Sequence, residues 1–228
     1  MDAIRNLYYH SSRNSDLRGG SCSMKTRILV LDAFTNRHEA ALVFIQRQGW
    51  LREDYEIIFC GTHTSVLKGL IDGPAYAVVP VRNSITGEVI EVTENLSILR
   101  GSGFNLRERD RFDLQINHCL MAPEHINRAE ELRYVVSHEK ALQQCQKYLN
   151  KIHVLPDRRL KYHSTGAAAK IVARLGRNIN IGAIAPKIAA REYGLRILAE
   201  NIQDIKDIKD IKDNRTTFVL LENLIPTK

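Results

Sequence analysis

Residues 135–149 read VVSHEKALQQCQKYL: a β-branched run, a polar turn, then apolar residues at helical spacing. The lead-in Arg133–Val136 favours a strand. Ala141, Leu142, Cys145, Tyr148 and Leu149 recur at the three- and four-residue spacing that gives a helix one apolar stripe. Ser137 stands where an N-cap is expected, and Glu139 puts a negative charge into the first turn. A strand feeding a capped helix aims unpaired backbone N–H groups at whatever anion lies in front of them. The stretch therefore predicts a βα unit with a place for an anion at its turn.

Working outward, the same pattern repeats. Arg159–His163 reads as a short strand, and STGAAAKIVARLG as a helix capped by Ser164 or Thr165. Asn180–Ala185 (NIGAIA) is a buried strand, Pro186 takes a first helical position, and Gly194 ends that helix. Upstream, Arg27–Leu31 (RILVL) is a fully apolar strand of the parallel-sheet kind, followed by a turn over Asp32–Arg37 and a helix from about His38. Tyr55–Phe59 and Ala75–Val81 are further strands, with a short helix over Thr64–Leu70 between them. Phe112–Ala122 alternates and then turns apolar, and a last strand starts near Thr216. His118 lies in the first of these and reads as a hydrogen-bonded core residue. Strands alternating with short helices predict an α/β fold, with ligands collecting at the carboxyl ends of the strands.

The remaining stretches set limits. Residues 1–24, rich in Ser, Asn, Arg and Gly, read as a disordered tail. Asp204–Asp213 repeats DIK with a period of three, which suits neither strand nor helix, and reads as a solvated loop without chemistry. The 228 residues, 44% apolar and 26% charged, suit one globular unit of two lobes. Cys22, Cys60, Cys119 and Cys145 are scattered without metal-ligand spacing, which points to a reduced, cytoplasmic setting and no structural metal. No apolar run has the roughly 20 residues of a membrane span. The net charge of +7 comes from Lys and Arg spread along the chain, without a basic block. That argues against nucleic acid and for a small anion.

SHEKALQQCQKYL resembles the SHxxALxQCxxYL motif of prephenate dehydratases, and other segments follow in the family's order. VPVRNSITGEV resembles VPxENSxxGxV, keeping Asn83, Ser84 and Gly87 but with Arg82 in place of the glutamate. NHCLMA resembles HCLLA, STGAAA resembles STAxAA, and AAREYGLRILAENIQD resembles AAxxYGLxxLAxNIQD. NRTTF resembles NxTRF, with Thr216 and Phe218 kept and Thr217 in place of the arginine. The first loop departs most. Against GPxGTxSxxAA, aligned on HEAA, the chain keeps Thr35, Ala40 and Ala41, loses the glycines and proline, and has Arg37 where the serine stands.

The resemblance implies a two-lobed α/β fold like that of periplasmic binding proteins, with the active site in the cleft between lobes. Lobe 1 would comprise about 25–112 and 200–228, and lobe 2 about 113–199, with no regulatory ACT domain. It implies prephenate as the substrate, no cofactor, no metal, and room for a homodimer. Thr216 would be the catalytic position. Ser137, Ser164 and Thr165 would hold carboxylates, with His138, Gln144, Asn83, Ser84, Thr35 and Phe218 completing the cleft. Arg37 and Arg82 would make it more positive than a dehydratase site. The altered first loop, Arg82, Thr217 and the missing ACT domain favour a prephenate decarboxylase of the bacilysin and aeruginosin type, which loses carbon dioxide without aromatising the ring. A prephenate dehydratase and an inactive anion-binding module are the alternatives. On the decarboxylase reading, Thr216 lacks polarising neighbours and holds the ring hydroxyl without expelling it. Alternation along the strand puts Thr217 on the opposite face from Thr216.

Overall fold

The computed structural model describes residues 25–175, 179–204 and 214–224; the expected tail (1–24) and residues 205–213 of the DIK repeat lie outside them. Eleven described strands form two mixed sheets. In the first, β2 (Tyr55–Phe59), β1 (Thr26–Val30), β3 (Tyr76–Asn83), β11 (Arg215–Asn223) and β5 (Leu106–Gln115) lie side by side, and β4 (Gly87–Glu88) pairs with β3. The second runs β10 (Arg196–Ala199), β6 (Cys119–Ala122), β9 (Ile181–Ala185), β7 (Tyr134–His138), β8 (Arg159–Tyr162). The chain crosses from the first sheet to the second at residues 116–118 and returns after β10. The two crossings touch: Ile116 N–H donates to Asn214 O at 2.7 Å and Ile202 N–H to His118 O at 3.1 Å.

Strand β1 shows why its sequence is wholly apolar. Leu29 packs on one face with Leu67, Leu70 and Val79, while Ile28 and Val30 pack on the other with Phe44, Ile45 and Phe218. Both faces are covered, by helices α1 (Asn36–Gln48) on one side and α2 (His63–Ile71) and α3 (Ile90–Gly101) on the other. In the second sheet, α6 (Thr165–Leu175) and α7 (Lys187–Tyr193) cover one face with Ala168, Ala169, Val172 and Ala189, and Leu142 and Leu149 cover the other. Gly194 ends α7 in the left-handed conformation, φ 62°, as its sequence position predicts.

Three expectations are corrected, and two elements were not anticipated. The helix over the opening stretch is two short ones, α4 (Glu139–Gln144) and α5 (Gln146–Lys151), broken at Cys145 with φ −119° and ψ 21°. Asp204 explains the break: its carboxylate accepts the Lys147 N–H at 3.0 Å, and its own N–H donates to Gln144 O, so it caps α5 from the return crossing. The strand read over 112–122 is two strands in different sheets. Helix α3 and the start of β5 were not legible, since β5 runs through LRERDR, whose charges pair outward in contacts such as Arg47–Asp110 at 2.7 Å.

The N-cap of α4 is His138, whose Nδ1 accepts the Lys140 N–H at 3.2 Å, and not Ser137. Ser137 is the penultimate strand residue. It is fully buried, and its hydroxyl donates to Ile184 O of β9 at 2.6 Å. Alternation turns Ser137 into the packing and His138 toward the open side. Ser137→Ala is therefore expected to cost about 0.5–1.5 kcal/mol of stability, read by denaturant unfolding. Unchanged unfolding would contradict this placement.

Candidate active site

A cavity of about 500 Å³ opens between the two sheets and takes its lining from both. From the first come the β1–α1 loop, the starts of α2 and α3, and the facing ends of β3 and β11; from the second come the β7–α4 turn and the start of α6. Thr35 N-caps α1 from an extended backbone, while its hydroxyl donates to Asp32 O at 3.1 Å. Ser164 precedes α6, and its Oγ accepts the Ala167 N–H at 3.2 Å. Two helix starts from opposite sheets thus face one cavity, each adding partial positive charge.

The two lobes meet closely beside it. A Cβ at Gly166, in the first turn of α6, would stand 2.3 Å from Ala33 O and 3.0 Å from Phe34 O. Phe34, in the position before Thr35 that is glycine in the family motif, keeps a positive φ of 54°. Its N–H donates to His38 Nδ1 at 3.1 Å, and its ring meets Tyr193 of α7 edge-on at 5.3 Å between centroids. The strained turn survives the loss of glycine because an interlobe aromatic contact holds it.

A chain of amides runs along the cavity floor, and its polarity can be derived. Asn83 Oδ1 accepts the backbone N–H groups of Ile85 and Thr86, both at 3.0 Å, so Asn83 Nδ2 must be the donor end. That nitrogen donates to Thr216 Oγ1 at 2.9 Å, to Asn214 Oδ1 at 2.8 Å and to Arg215 O at 3.0 Å. Asn214 Nδ2 then donates to Gln144 Oε1 at 3.4 Å. Gln144 Oε1 also lies 2.8 Å from His118 Nε2, which must therefore carry the proton. His118 is neutral, since burial pushes its pKa below the ordinary value; its Nδ1 is a buried acceptor without a partner among the described residues. Thr216 Oγ1 accepts from Asn83, which leaves the Thr216 proton available to the cavity.

Charge lines both walls, with Asp32, Arg37 and Glu91 from the first sheet's side and Lys140 from the second's. Arg37, the second residue of α1, lines the cavity with its Nε–H buried and without a hydrogen-bond partner among the described residues. Burial lowers its pKa, and Asp32 and Glu91 partly offset this. Burial also raises the pKa of Asp32 against the opposing pull of Arg37, His163 and His138. His63 has a pKa of about 4, set first by burial and then by Arg37 and Lys140.

His38, behind the loop, is also lowered to about 4 by burial. Folding therefore favours the neutral imidazoles, and the unfolded chain binds more protons between about pH 4 and 6.5. Their contribution to stability is full above pH 6.5 and is lost as pH falls toward 4. The melting temperature is expected to drop across that window, less steeply in His38→Gln. Equal slopes for the two proteins would contradict it.

Of the residues predicted for the site, Thr35, Arg37, Asn83, His138, Gln144, Ser164, Thr165, Thr216 and Phe218 line the cavity. Ser137, Ser84 and Arg82 do not. Ser84 Oγ accepts the Arg215 N–H at 2.9 Å and staples β3 to β11. Arg82 is exposed, opposite Thr217 in the sheet register, and contributes nothing to the cavity wall. Thr217 faces away from Thr216 and donates to Asp113 at 2.6 Å. Sequence reading passed over Asp32, His63, Glu91, His163 and Asn214, which also line the cavity. Only Asn214 had a signal: it opens the NRTTF stretch, two residues before Thr216.

The prephenate dehydratase family profile matches residues 32–224. Prephenate dehydratase of Methanocaldococcus jannaschii is 30% identical over 204 residues, 90% of this chain and 67% of that protein. The arogenate/prephenate dehydratase 1 of Arabidopsis thaliana chloroplasts is 37% identical over 156 residues, 66% of this chain and 35% of that one. Among solved structures, prephenate dehydratase of Arthrobacter aurescens, in complex with L-Phe, superposes with a TM-score of 0.64 at 28% identity, covering 89% of this chain and 62% of that chain. The chain thus spans about a third to two thirds of the length of these relatives. With the profile matched across both sheets and the cleft, the chain belongs to the prephenate dehydratase family.

Proposed function

We propose that the chain dehydrates and decarboxylates prephenate to phenylpyruvate, with Thr216 assisting departure of the ring hydroxyl. The observation that carries this is the Asn83–Thr216 contact. An amide fixed by two backbone N–H groups donates to Thr216 Oγ1 and leaves the hydroxyl proton free to point into the cavity. Asn83 is the neighbour whose absence would make Thr216 a passive ligand, and Arg82, which stands in place of the family's acid, lies outside the cavity.

The chemistry balances within the site. As the ring carboxylate leaves as carbon dioxide, its electron pair moves into the ring and completes the aromatic sextet. The C4–O bond breaks, and the departing oxygen takes one proton, supplied from solvent by way of the Thr216 hydroxyl, to leave as water, so the dianion becomes phenylpyruvate monoanion, carbon dioxide and water. A threonine hydroxyl is a weak acid, so its value lies in a hydrogen bond that strengthens as negative charge builds on that oxygen. The starts of α1 and α6, with Arg37, hold the side-chain carboxylate and orient the ring. His138, Gln144 and Phe218 shape the remaining wall.

The non-aromatising decarboxylase reading keeps one observation of its own. Arg37 and Phe34 replace the serine and glycine of the family's first loop and bring a cation into the cleft. Both readings predict loss of carbon dioxide and differ in the organic product. Incubation with prephenate is expected to yield phenylpyruvate, identified by its aromatic enolate absorbance and its mass. A dihydro-4-hydroxyphenylpyruvate product would establish the decarboxylase instead. Binding of prephenate without turnover would leave a binding module.

A further inference from the structure

Arg37 is held in the cleft without being consumed there. Its buried Nε–H meets no hydrogen-bond acceptor among the described residues, while Asp32 and Glu91 act on it through their charge. Its field nonetheless reaches both walls, since it acts on His63 from the first sheet and on His138 from the second. A buried charged donor left open in this way calls for an acceptor brought by the ligand.

The relatives of this chain are named for two substrates that differ at one atom pair: prephenate carries a 2-oxo acid side chain, arogenate a 2-ammonio acid side chain. We propose that Arg37 makes this cleft selective for the 2-oxo acid over the corresponding 2-amino acid. A 2-oxo acid offers a carboxylate oxygen and a ketone oxygen side by side, two acceptors in one plane, which match the planar donor fork of a guanidinium. A 2-amino acid offers the same carboxylate but places three N–H donors and a positive charge beside it. Next to Arg37 that cation is repelled, and the ketone's acceptor is gone.

Asp32 and Glu91 sharpen the argument. Both are acids that would welcome an ammonium, and both are offset by Arg37. Removing the guanidinium therefore does two things: it takes away the fork that reads the oxo acid, and it uncovers two carboxyl groups that read the amino acid. Arg37→Gln should shift selectivity toward the amino acid as well as weaken oxo-acid binding. Arg37→Lys keeps the charge without the fork, and should retain part of the preference.

The inference rests on the proposed prephenate-type site, and the test separates the two. Calorimetric titration of wild type, Arg37→Gln and Arg37→Lys with phenylpyruvate and with L-phenylalanine needs no turnover. Wild type is expected to bind phenylpyruvate at least about tenfold more tightly than phenylalanine, and the ratio should fall at least about tenfold in Arg37→Gln. The kcat/KM ratio for prephenate over arogenate should move the same way. If prephenate is not turned over while the binding ratio collapses in Arg37→Gln, the activity is wrong and the selectivity stands. Equal wild-type affinities, binding of neither probe by the folded chain, or a ratio unchanged in Arg37→Gln would overturn it.

Discussion

Thr216→Val is expected to lower kcat for prephenate by about 10²- to 10³-fold, the range lost with one positioned hydrogen-bond donor to developing negative charge, and to change KM little. Valine keeps the shape of threonine and removes only the hydroxyl. Thr216 is nearly buried, so the change does not alter the rim of the cavity. Asn83 Nδ2 loses one acceptor and keeps two, Asn214 Oδ1 and Arg215 O. Stability should therefore stay within about 1 kcal/mol of wild type. The split matters: a hydroxyl that merely held the substrate would raise KM, whereas one that assists departure of the leaving group lowers kcat. A tenfold rise in KM at unchanged kcat would assign Thr216 a binding role.

The second large effect is structural. In Gly166→Ala the new Cβ would stand 2.3 Å from Ala33 O, a backbone atom that no side-chain rotation can clear. Helix propensity favours alanine by at most about 1 kcal/mol, and less in a first turn. Forced overpacking costs about 1–3 kcal/mol, so the clash wins. Either α6 lifts away from the β1–α1 loop or the loop itself moves. Both separate Thr165 from Thr35 and pull apart the two helix starts that face the cavity. The melting temperature is expected to fall by several degrees, about 2–4 °C per kcal/mol for a chain of this size, and kcat/KM to fall with it. An unchanged melting temperature with full activity would show that the lobes do not touch at Gly166.

The parts of this fold that were legible in the sequence are those written in local chemistry. RILVL is buried on both faces of one strand, and its composition says so. Ser164 starts a helix, Gly194 ends one, and the alternation of Thr216 and Thr217 assigned them to opposite faces. What was not legible depends on partners distant in the chain. Ser137 has the chemistry of a cap, yet Ile184, 47 residues on, takes its hydroxyl. The helix after it breaks because Asp204 arrives from the other crossing to cap a new start. Arg82 looked like a reversal of charge in the site, but the pairing of β3 with β11 turns it outward.

The same limit applies to the amide chain. Asn83, Asn214, Gln144 and His118 are separated by up to 131 residues and meet only because the two crossings lie side by side. Without that meeting, Thr216 read as a hydroxyl short of support. With it, the polarity of every link follows from two backbone N–H groups.

On the proposed function, the hydroxyl of the substrate ring leaves with the assistance of Thr216. Prephenate labelled with ¹⁸O at its C4 hydroxyl tests it most directly, with the organic product read by mass spectrometry. Phenylpyruvate free of the label is expected, with the ¹⁸O recovered in water and a rate that collapses in Thr216→Val. A decarboxylated product that still carries the ¹⁸O would contradict it.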